Sequence, residues 1–399
     1  MLVSRLTRIM ATVIPTVLLA GCASLADRWI NRVRFKPPYA ASPEAAALHQ
    51  QLRVIDLHAD PLLWNRDLLK RGSRGHVDVP RLQEANVALQ VFGVVNGVPF
   101  PPRMDNNPDR WDVITLLAAL QGWPEATHDG RLQRALYQAD KLAERAQASN
   151  GALTLITNRR DLEALLAARE RGELIIGAML SLEGTQALEG NPANVERLFQ
   201  AGFRMLGLVH LFDNAMAGSA HGVDKYGLTE KGRGLIQRAL ALGMIIDLAH
   251  ASPATIDDVL AMADRPVVAS HGGVRGTCDT ARNLADRHIR GIAKTGGVIG
   301  IGLYKYATCG KTLNDTVGAM RYVADLVGVE HVALGSDFDG AVTTVVDASG
   351  LVMLTDALLQ EGFTEAQIAA TMGGNALRVF RQTLPEEQKS IKGAGENLE

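Results

Sequence analysis

After residue 50 this sequence alternates short apolar runs with longer stretches of helical periodicity, and no other feature restricts its fold as much. Eight apolar runs have the length and composition of strands, and helical stretches such as 194–201, 230–242 and 256–263 lie between several of them. Alternating strands and helices predict a parallel sheet, and eight repeats favour a sheet that closes on itself. The predicted fold class is α/β, a (β/α)₈ TIM barrel, with strands at 54–58, 88–95, 174–182, 204–210, 244–249, 266–270, 297–302 and 331–335.

Three further segments have their own patterns. Residues 99–109 are polar and rich in proline, which predicts a loop that could act as a lid. A charged stretch over 131–148 predicts a helix after the second strand. Thr364 and Gln367 have the spacing of a capping box, which predicts a C-terminal helix over 364–381.

The composition is that of a globular protein with a large core. Of 399 residues, 47% are hydrophobic and 21% are charged. The net charge is −2, and the sequence has no basic stripe of the kind that would indicate a nucleic-acid partner. The three cysteines lack the paired spacing of a thiolate zinc site.

The first residues have the form of a targeting segment rather than of folded structure. Arg5 and Arg8 precede an uncharged, mainly apolar run over 9–20. This run is too short for a membrane span of about 20 residues and is typical of a signal sequence. It ends at 19–22 in Leu-Ala-Gly-Cys, which resembles the bacterial lipobox, whose cysteine becomes the lipidated first residue. The alternative is an ordinary signal peptide cleaved after Ala23.

The lipobox interpretation divides the chain and predicts its location. It gives a signal peptide over 1–21, a tether over 22–45, the barrel over 46–385 and a polar tail over 386–399. Lipidation at Cys22 would attach the protein to a membrane. Because alanine rather than aspartate follows that cysteine, we expect the periplasmic side of the outer membrane, an oxidising compartment that permits disulfides.

Polar side chains stand where the predicted strands end. In a barrel the carboxyl ends of all strands meet at one face. A set of His, Asp and Glu without thiolates is typical of catalytic zinc or a related divalent ion. These residues are His58 and Asp60 after the first strand, Glu183 after the third, His210, His250 and His271 after the fourth, fifth and sixth, and Asp337 after the eighth.

Each of these residues alone has a plainer interpretation. A single histidine after an apolar run is more often a hydrogen-bonded core residue, Glu183 could cap a helix, and Asp337 with Asp339 could form a turn before Gly340. Their joint occurrence at strand ends of one polarity favours the metal site. His221 is left open, because it lies in a loop of small residues at the same face. The other histidines are predicted to be structural or superficial, namely His49, His76, His128, His288 and His331.

Around these residues the sequence resembles the membrane dipeptidase family, also called renal dipeptidases, over about 54–380. The resemblance implies a barrel of the metal-dependent amidohydrolase type and zinc-dependent hydrolysis of dipeptides, with a C-terminal D-amino acid left open as a substrate feature. The matching stretches share the family's order and spacing: IDLHAD at 55–60, SLEG at 181–184, IDLAH at 246–250, ASH at 269–271, RNL at 282–284, GSDFDG at 335–340 and GNALRVF at 374–380.

The resemblance also implies a set of metal ligands for two Zn²⁺ ions. His58, Asp60 and Glu183 would hold one ion. Glu183, His250 and His271 would hold the second, so that Glu183 bridges the pair. A hydroxide between two such ions exists at neutral pH and would attack the peptide carbonyl.

Three more residues receive roles from the family. His210 would bind substrate and polarise the carbonyl, Arg282 would pair with the free C-terminal carboxylate, and Asp337 would carry the proton to the leaving amine. The chain departs from the family pattern after His210, where it has Leu-Phe-Asp-Asn at 211–214. This departure affects the expected substrate preference and not the chemistry.

A disulfide between Cys278 and Cys309 is a further implication of the resemblance. If Cys22 is lipidated, these are the two remaining thiols of the chain, and they follow the sixth and seventh predicted strands. The alternative is a pair of buried free thiols.

Two other classes of protein share parts of this pattern. A related amidohydrolase, such as an N-acyl-amino-acid deacylase, a lactonase or a phosphotriesterase, would have a similar metal site. Many of those enzymes bridge their metals with a carbamylated lysine, and no lysine stands at a strand end here. A solute-binding lipoprotein would share the signal but would need no proton shuttle. The expected partners are a dipeptide and a membrane, and a homodimer is compatible with the sequence.

Overall fold

The computed structural model of the protein describes residues 25–387. The predicted signal peptide, Cys22 and most of the polar tail lie outside the described residues. Eleven strands are present among residues 25–387: β1 Arg32–Val33, β2 Val54–Ala59, β3 Val87–Val95, β4 Leu153–Leu155, β5 Ile176–Glu183, β6 Phe203–Gly207, β7 Ile245–Asp247, β8 Val268–Ala269, β9 Val298–Ile301, β10 Val332–Leu334 and β11 Thr343–Thr344.

Eight of these strands close into a parallel barrel. The order is β3-β2-β10-β9-β8-β7-β6-β5, and β3 pairs with β5 to complete the circle. Every pairing is parallel. All residues of β2, β3 and β5 are buried, as expected for strands covered on both faces. The predicted (β/α)₈ barrel and the places of its eight strands are confirmed.

Strand β4 is an addition that the sequence analysis missed. It pairs with residues 176–178 of β5, on the edge that β6 occupies from residue 180 onward. Its three residues are too few to show a periodicity.

Helices cover the outside of the barrel, and the predicted helix over 131–148 is present with those bounds. Residues 25–30 are also helical, and 99–109 form a loop as predicted. The α-helices with stated bounds are Pro43–His49, Val79–Glu84, Val113–Leu120, Ala126–Asp129, Arg131–Ala148, Arg159–Glu170, Asn194–Gln200, Glu230–Leu242, Pro253–Met262, Asp286–Lys294, Lys305–Thr308, Leu313–Val327, Leu351–Gln360, Glu365–Ala369 and Asn375–Thr383. Short 3₁₀ turns lie at Pro61–Leu63, Thr185–Leu188, Val329–His331 and Ala348–Gly350.

The predicted continuous C-terminal helix is interrupted. The capping box of Thr364 and Gln367 is present, but a π-type turn at Ala370–Gly374 separates two α-helices, with a non-helical Gly373 inside it. A Cβ at Gly373 would lie 1.8 Å from the carbonyl oxygen of Arg53. The chain therefore bends where its backbone touches the start of β2.

The tether predicted over 22–45 is not what the structure has from residue 25 onward. Asp27 is buried and forms ion pairs with Arg66 and Arg74, at 3.3 and 2.7 Å. Strand β1 pairs in parallel with β11, and the Ala341 amide donates to the side chain of Asn31. Pro37, Pro38 and Pro43 favour a tether in the sequence, but the segment folds onto the barrel because its few buried groups find partners there.

Within residues 25–387, no helix has both the length and the apolar character needed to span a bilayer.

Candidate metal centre and substrate pocket

The barrel brings the predicted polar residues together at its carboxyl end. His58 and Glu183 lie within the last two residues of β2 and β5, and His250 and His271 follow β7 and β8 by a few residues. All seven predicted side chains are buried: His58, Asp60, Glu183, His210, His250, His271 and Asp337.

Glu183 lies at the centre of this cluster. Its Oε1 atom is 3.1 Å from Nε2 of His250 and 3.7 Å from Nε2 of His271. It is also 3.6 Å from Nε2 of both His58 and His210. One carboxylate therefore faces four imidazoles, which is the position of a bridging ligand.

Two groups of ligand atoms share this carboxylate. Oε1 of Glu183 and the Nε2 atoms of His250 and His271 lie within 3.7 Å of one another. On the other side, Nε2 of His58 lies 3.3 Å from Oδ1 of Asp60 and 3.6 Å from Oε1 of Glu183. The ligand sets implied by the family resemblance are thus assembled in space.

Several buried polar atoms in the cluster have no hydrogen-bond partner. Burying such atoms without a partner is costly, and a divalent cation would satisfy a set of nitrogen and carboxylate donors without thiolates. The residues present therefore fit a metal centre. The unpartnered atoms are both ring nitrogens of His58, Oδ1 of Asp60, Oε2 of Glu183 and Nδ1 of His250.

A hydrogen-bonded chain sets the tautomer of His271. Both oxygens of the Asp247 carboxylate accept hydrogen bonds, one from the amide and the other from the hydroxyl of Ser270, and this hydroxyl oxygen lies 2.9 Å from Nδ1 of His271. With the hydroxyl proton directed to the carboxylate, Nδ1 donates to the hydroxyl oxygen and Nε2 faces Glu183 without a proton. Such outer partners orient metal ligands.

Asp56 supports the other side of the site in the same manner. Its carboxylate accepts from the amide and hydroxyl of Ser336, at 2.8 and 2.6 Å, and from the side-chain amide of Gln90 at 2.9 Å. The Ser336 hydroxyl also reaches the carbonyl oxygen of His58. The sequence analysis missed these supporting residues, although a buried aspartate two or three residues before a candidate ligand, as in 56–58 and 247–250, is a usable signal.

Burial and mutual charge shift the pKa values of the groups on the His58 side of the cluster. Burial raises the pKa of Asp337 to about 8 and raises that of Glu183, with Asp60 adding to the latter effect. Burial alone would lower the pKa of His58, but the carboxylates of Asp60 and Glu183 outweigh it and raise the pKa to about 10. A cation bound beside His58 would favour the ionised form of these carboxyl groups and the neutral form of the imidazole.

The remaining histidines at the site are held neutral. Burial lowers the pKa of His210 to about 3 and lowers those of His250 and His271 well below their ordinary value. Nδ1 of His210 lies 3.4 Å from the carbonyl oxygen of Gly97, so its Nε2 is the free atom. Neutral imidazole is the form that binds metals and polar substrates.

Two of the functional residues have left-handed backbones. His250 has φ 63° and Asp337 has φ 61°, a conformation that costs non-glycine residues about 1–3 kcal/mol. Backbone hydrogen bonds hold both: the amide of Ala220 donates to the His250 carbonyl, and the amide of Asp337 donates to that of His58. The barrel thus supports conformations that aim both side chains into the site.

Arg282 provides the cation at the edge of the pocket. Its side chain is buried and donates to the carbonyl oxygen of His271 at 2.6 Å. Among residues 25–387, no carboxylate forms an ion pair with it. A buried guanidinium of this kind is ready to form a fork with a ligand carboxylate.

The predicted disulfide is confirmed and braces this part of the pocket. Cys278 and Cys309 are joined, with their Cα atoms 5.3 Å apart. Arg282 and Tyr304 lie inside the closed loop, and Asn283 ties the loop together by donating to the carbonyl oxygens of Cys278 and Ala307 at 2.8 Å. The sequence analysis did not select Tyr304, which is buried and lines the pocket.

His221, which the sequence left open, belongs to the pocket. Its ring lies 5.2 Å from that of His250. Nδ1 is 2.8 Å from the carbonyl oxygen of Met104 and donates to it, whereas Nε2 is buried without a partner. The ring therefore presents a hydrogen-bond acceptor at the pocket.

These groups enclose a cavity of about 340 Å³ at the mouth of the barrel. Metal-site residues line one side, and the 99–109 loop contributes Pro102, Arg103 and Met104 to another. Among the described residues, no lysine lines this cavity. Its volume suits a small ligand.

Comparisons with known proteins agree with this geometry. A family model described as membrane dipeptidase, peptidase family M19, matches residues 42–392. The chain belongs to the membrane dipeptidase family. Curated relatives include dipeptidase verJ of Clonostachys rogersoniana, 30% identical over 230 residues, which are 56% of this chain and 59% of that protein. The match to dipeptidase aclJ of Aspergillus oryzae is 31% identical and covers 51% of each protein. The chain thus spans little more than half the length of these relatives.

Solved structures show the same fold as this membrane dipeptidase family member. The probable dipeptidase PvdM of Pseudomonas aeruginosa has a TM-score of 0.72 at 19% identity, over 87% of this chain and 98% of that one. A metallopeptidase of Rhodobacter sphaeroides, solved with a phosphinate mimic of the dipeptide L-Ala-D-Ala, has a TM-score of 0.68 at 24% identity, over 83% and 99%.

Proposed function

We propose that this protein is a two-zinc dipeptidase that hydrolyses dipeptides with a free C-terminal carboxylate. The observation that carries the proposal is the position of Arg282. This buried residue, which forms no ion pair with a described carboxylate, lines the same cavity as the cluster of candidate metal ligands around Glu183. Arg282 at one edge of the small cavity would bind the C-terminal carboxylate of a peptide, and this contact would fix where the peptide ends. This geometry favours a dipeptide over longer chains.

The metal ligands would be His58, Asp60, Glu183, His250 and His271. Bound divalent ions would supply a water acidic enough to ionise near neutral pH and positive charge to stabilise an oxyanion. Glu183, which faces both groups of ligands, would bridge the two positions.

The other residues position the substrate and move its proton. Arg282 would hold the C-terminal carboxylate in a bidentate fork, and Nε2 of His210 would contact the scissile carbonyl oxygen. Asp337, which is buried and lines the cavity beside the proposed ligands, would take a proton from the nucleophile and deliver it to the departing amine.

The alternative remains a related amidohydrolase, such as an N-acyl-amino-acid deacylase or a lactonase. Many such enzymes use a bridging carbamylated lysine, and no lysine lines the cavity among the described residues. Glu183 in the bridging position favours the dipeptidase.

A dipeptide panel with both stereochemistries at the C-terminal residue tests the proposal. We expect hydrolysis of dipeptides, weak or no hydrolysis of dipeptide amides that lack the carboxylate, and loss of activity in chelator with recovery on adding Zn²⁺. Elemental analysis should find about two ions per chain, and fewer in Glu183→Gln. Full activity in metal-free protein, or a preference for N-acyl amino acids or lactones, would contradict the proposal.

The location remains a proposal that rests on the lipobox-like sequence ending at Cys22. We propose a lipid anchor at this residue and the periplasmic side of the outer membrane.

A further inference from the structure

The segment over 25–36 presents large apolar side chains to solvent. Trp29 is 67% exposed and Leu25 is 56% exposed. Four exposed cations are interleaved with these side chains, and Arg32 lies over the Trp29 ring at 4.6 Å from its centroid. We call this surface the N-terminal face; its apolar members are Leu25, Trp29, Ile30 and Phe35, and its cations are Arg28, Arg32, Arg34 and Lys36.

The N-terminal face is fastened to the barrel. The acid within the segment, Asp27, is buried in ion pairs with Arg66 and Arg74. Beyond it, the amides of Arg34 and Phe35 donate to the carbonyl oxygens of Thr344 and Val345 at 3.0 and 2.9 Å. The exposed apolar side chains therefore keep a fixed orientation relative to the barrel.

A second cavity of about 350 Å³ adjoins this face. Ile30 and Arg34 line it, together with Lys305, which lies inside the disulfide loop, and Lys311, which follows that loop. No carboxylate among residues 25–387 lines this cavity. It also shares Tyr304 with the substrate pocket, so the face borders the mouth of the active site.

The distance along the chain to Cys22 is short. Two residues separate Cys22 from Leu25, and extended chain covers at most about 3.6 Å per residue. A lipid on Cys22 would therefore hold Leu25 within about 11 Å of the attachment point. The N-terminal face must therefore stay close to the surface of a membrane that holds this cysteine.

We propose that the N-terminal face lies on the surface of a bilayer that contains anionic lipid. Trp29, Leu25 and Ile30 enter the interface, as aromatic and apolar side chains do, and the cations contact head-group phosphates. The substrate pocket then opens beside the membrane surface. This inference extends the proposed lipid anchor and does not depend on dipeptide hydrolysis.

The test uses the chain from residue 22 onward with Cys22→Ser, which has no acyl group and retains every described residue. Trp111→Phe is added, so that Trp29 is the one exposed tryptophan among the described residues. We expect the tryptophan emission to shift to the blue with vesicles of phosphatidylglycerol and phosphatidylethanolamine. We expect this shift to weaken in high salt and with phosphatidylcholine alone.

Substitution separates the face from the rest of the surface. Trp29→Ser with Ile30→Ser should lower the vesicle-bound fraction on the order of tenfold or more, since two large apolar side chains no longer enter the interface. Leu174→Ser removes an equally exposed side chain that precedes β5, at the opposite end of the barrel, and should leave binding unchanged. Dipeptide hydrolysis in solution should be the same in all three proteins. No blue shift on anionic vesicles, or an equal loss of binding in Leu174→Ser, would overturn the inference.

Discussion

Asp337 and Asp339 show how two similar residues in one turn divide their tasks. Both have left-handed backbones and both are buried. The Asp339 carboxylate accepts from the amides of His76 and Val77 and pairs with Arg66 at 2.8 Å. Asp337 lines the substrate cavity instead. Asp337 therefore faces the cavity, as its proposed role in proton transfer requires, and Asp339 holds the turn.

Replacing Asp337 by Asn tests this division. We expect kcat to fall by about 10²–10⁴-fold, because the amide cannot transfer the proton, while the zinc content and the melting temperature are retained. Asp339→Asn is the control and should lower the melting temperature, because it breaks a buried ion pair. Near wild-type turnover in Asp337→Asn would remove this residue from the proton-transfer step.

His221 is expected to contact the substrate through its unpartnered Nε2. His221→Phe keeps the ring volume but removes the acceptor, and we expect KM for dipeptides to rise by about tenfold, as for a lost hydrogen bond of ordinary strength. The zinc content should not change, because His221 is not a proposed ligand. His221→Gln keeps an acceptor and should recover part of the affinity. Steady-state kinetics of both variants decide, and an unchanged KM in His221→Phe would show that Nε2 does not contact the dipeptide.

Sequence patterns find residues that act at strand ends better than those that act through loops. His58, Glu183 and His271 could be found because an apolar strand leads directly into each. His221 lies in a loop without periodicity, and Tyr304 closely follows β9 but is not one of the His, Asp and Glu residues on which the metal-site prediction rests. Their neighbours in space are far away in sequence.

At the scale of elements, the close approach of β2 and β3 shapes the metal site. Gly93 in β3 faces the ligands of β2, and a Cβ there would lie 2.1 Å from Oδ1 of Asp60 and 2.7 Å from Cε1 of His58. A side chain of any size at this position would displace both ligands.

Gly93→Ala should therefore weaken metal binding more than it destabilises the fold. We expect a drop of about 10–100-fold in zinc affinity, the range found when ligand orientation is disturbed, with the far-UV circular dichroism preserved. Gly234→Ala is the control: a Cβ there meets no atom within 4 Å, and in the helix Glu230–Leu242 it should stabilise the fold slightly. Zinc titration of both variants is the measurement. Equal zinc affinities of Gly93→Ala and Gly234→Ala would contradict the expectation.

The helix Pro43–His49 is held to the barrel by a neutral histidine. Nε2 of His49 donates to the carbonyl oxygen of Ala85 at 2.9 Å, and Nδ1 accepts from the Thr355 hydroxyl at 2.8 Å. Burial lowers the pKa of this imidazole below its ordinary value. Below about pH 6.5 the unfolded chain binds a proton at His49 that the folded chain does not, so the stability from this group is lost as the pH falls toward the lowered pKa.

His49→Gln should make stability less sensitive to acid. The amide can make both hydrogen bonds but does not titrate, so we expect the urea midpoint to fall less steeply between about pH 7 and pH 5 than in the unmodified protein. An equal slope in His49→Gln and in the unmodified protein would show that His49 does not contribute.

At the scale of the whole molecule, the sequence predicts the barrel because its strands and helices alternate over more than 250 residues. The boundaries of the barrel are harder to predict, since they depend on contacts distant in sequence. The prolines at 37, 38 and 43 predict a tether before the barrel. Partners such as Arg66 and Thr344, far along the chain, fold this segment onto the surface. The interruption at Gly373 has the same cause, because it depends on the backbone of Arg53.

The disulfide between Cys278 and Cys309 has a consequence for how the pocket can change in evolution. Every proposed metal ligand lies outside the closed loop, as does Asp337, whereas Arg282, Tyr304 and Tyr306 lie inside it. Mutations at Tyr304 and Tyr306 can change the wall of the pocket within a covalently closed ring that contains no proposed metal ligand. Arg282 links this ring to the ligand set, because it donates to the carbonyl oxygen of His271. Selection can therefore reshape the pocket wall while this hydrogen bond and the proposed ligands stay in place.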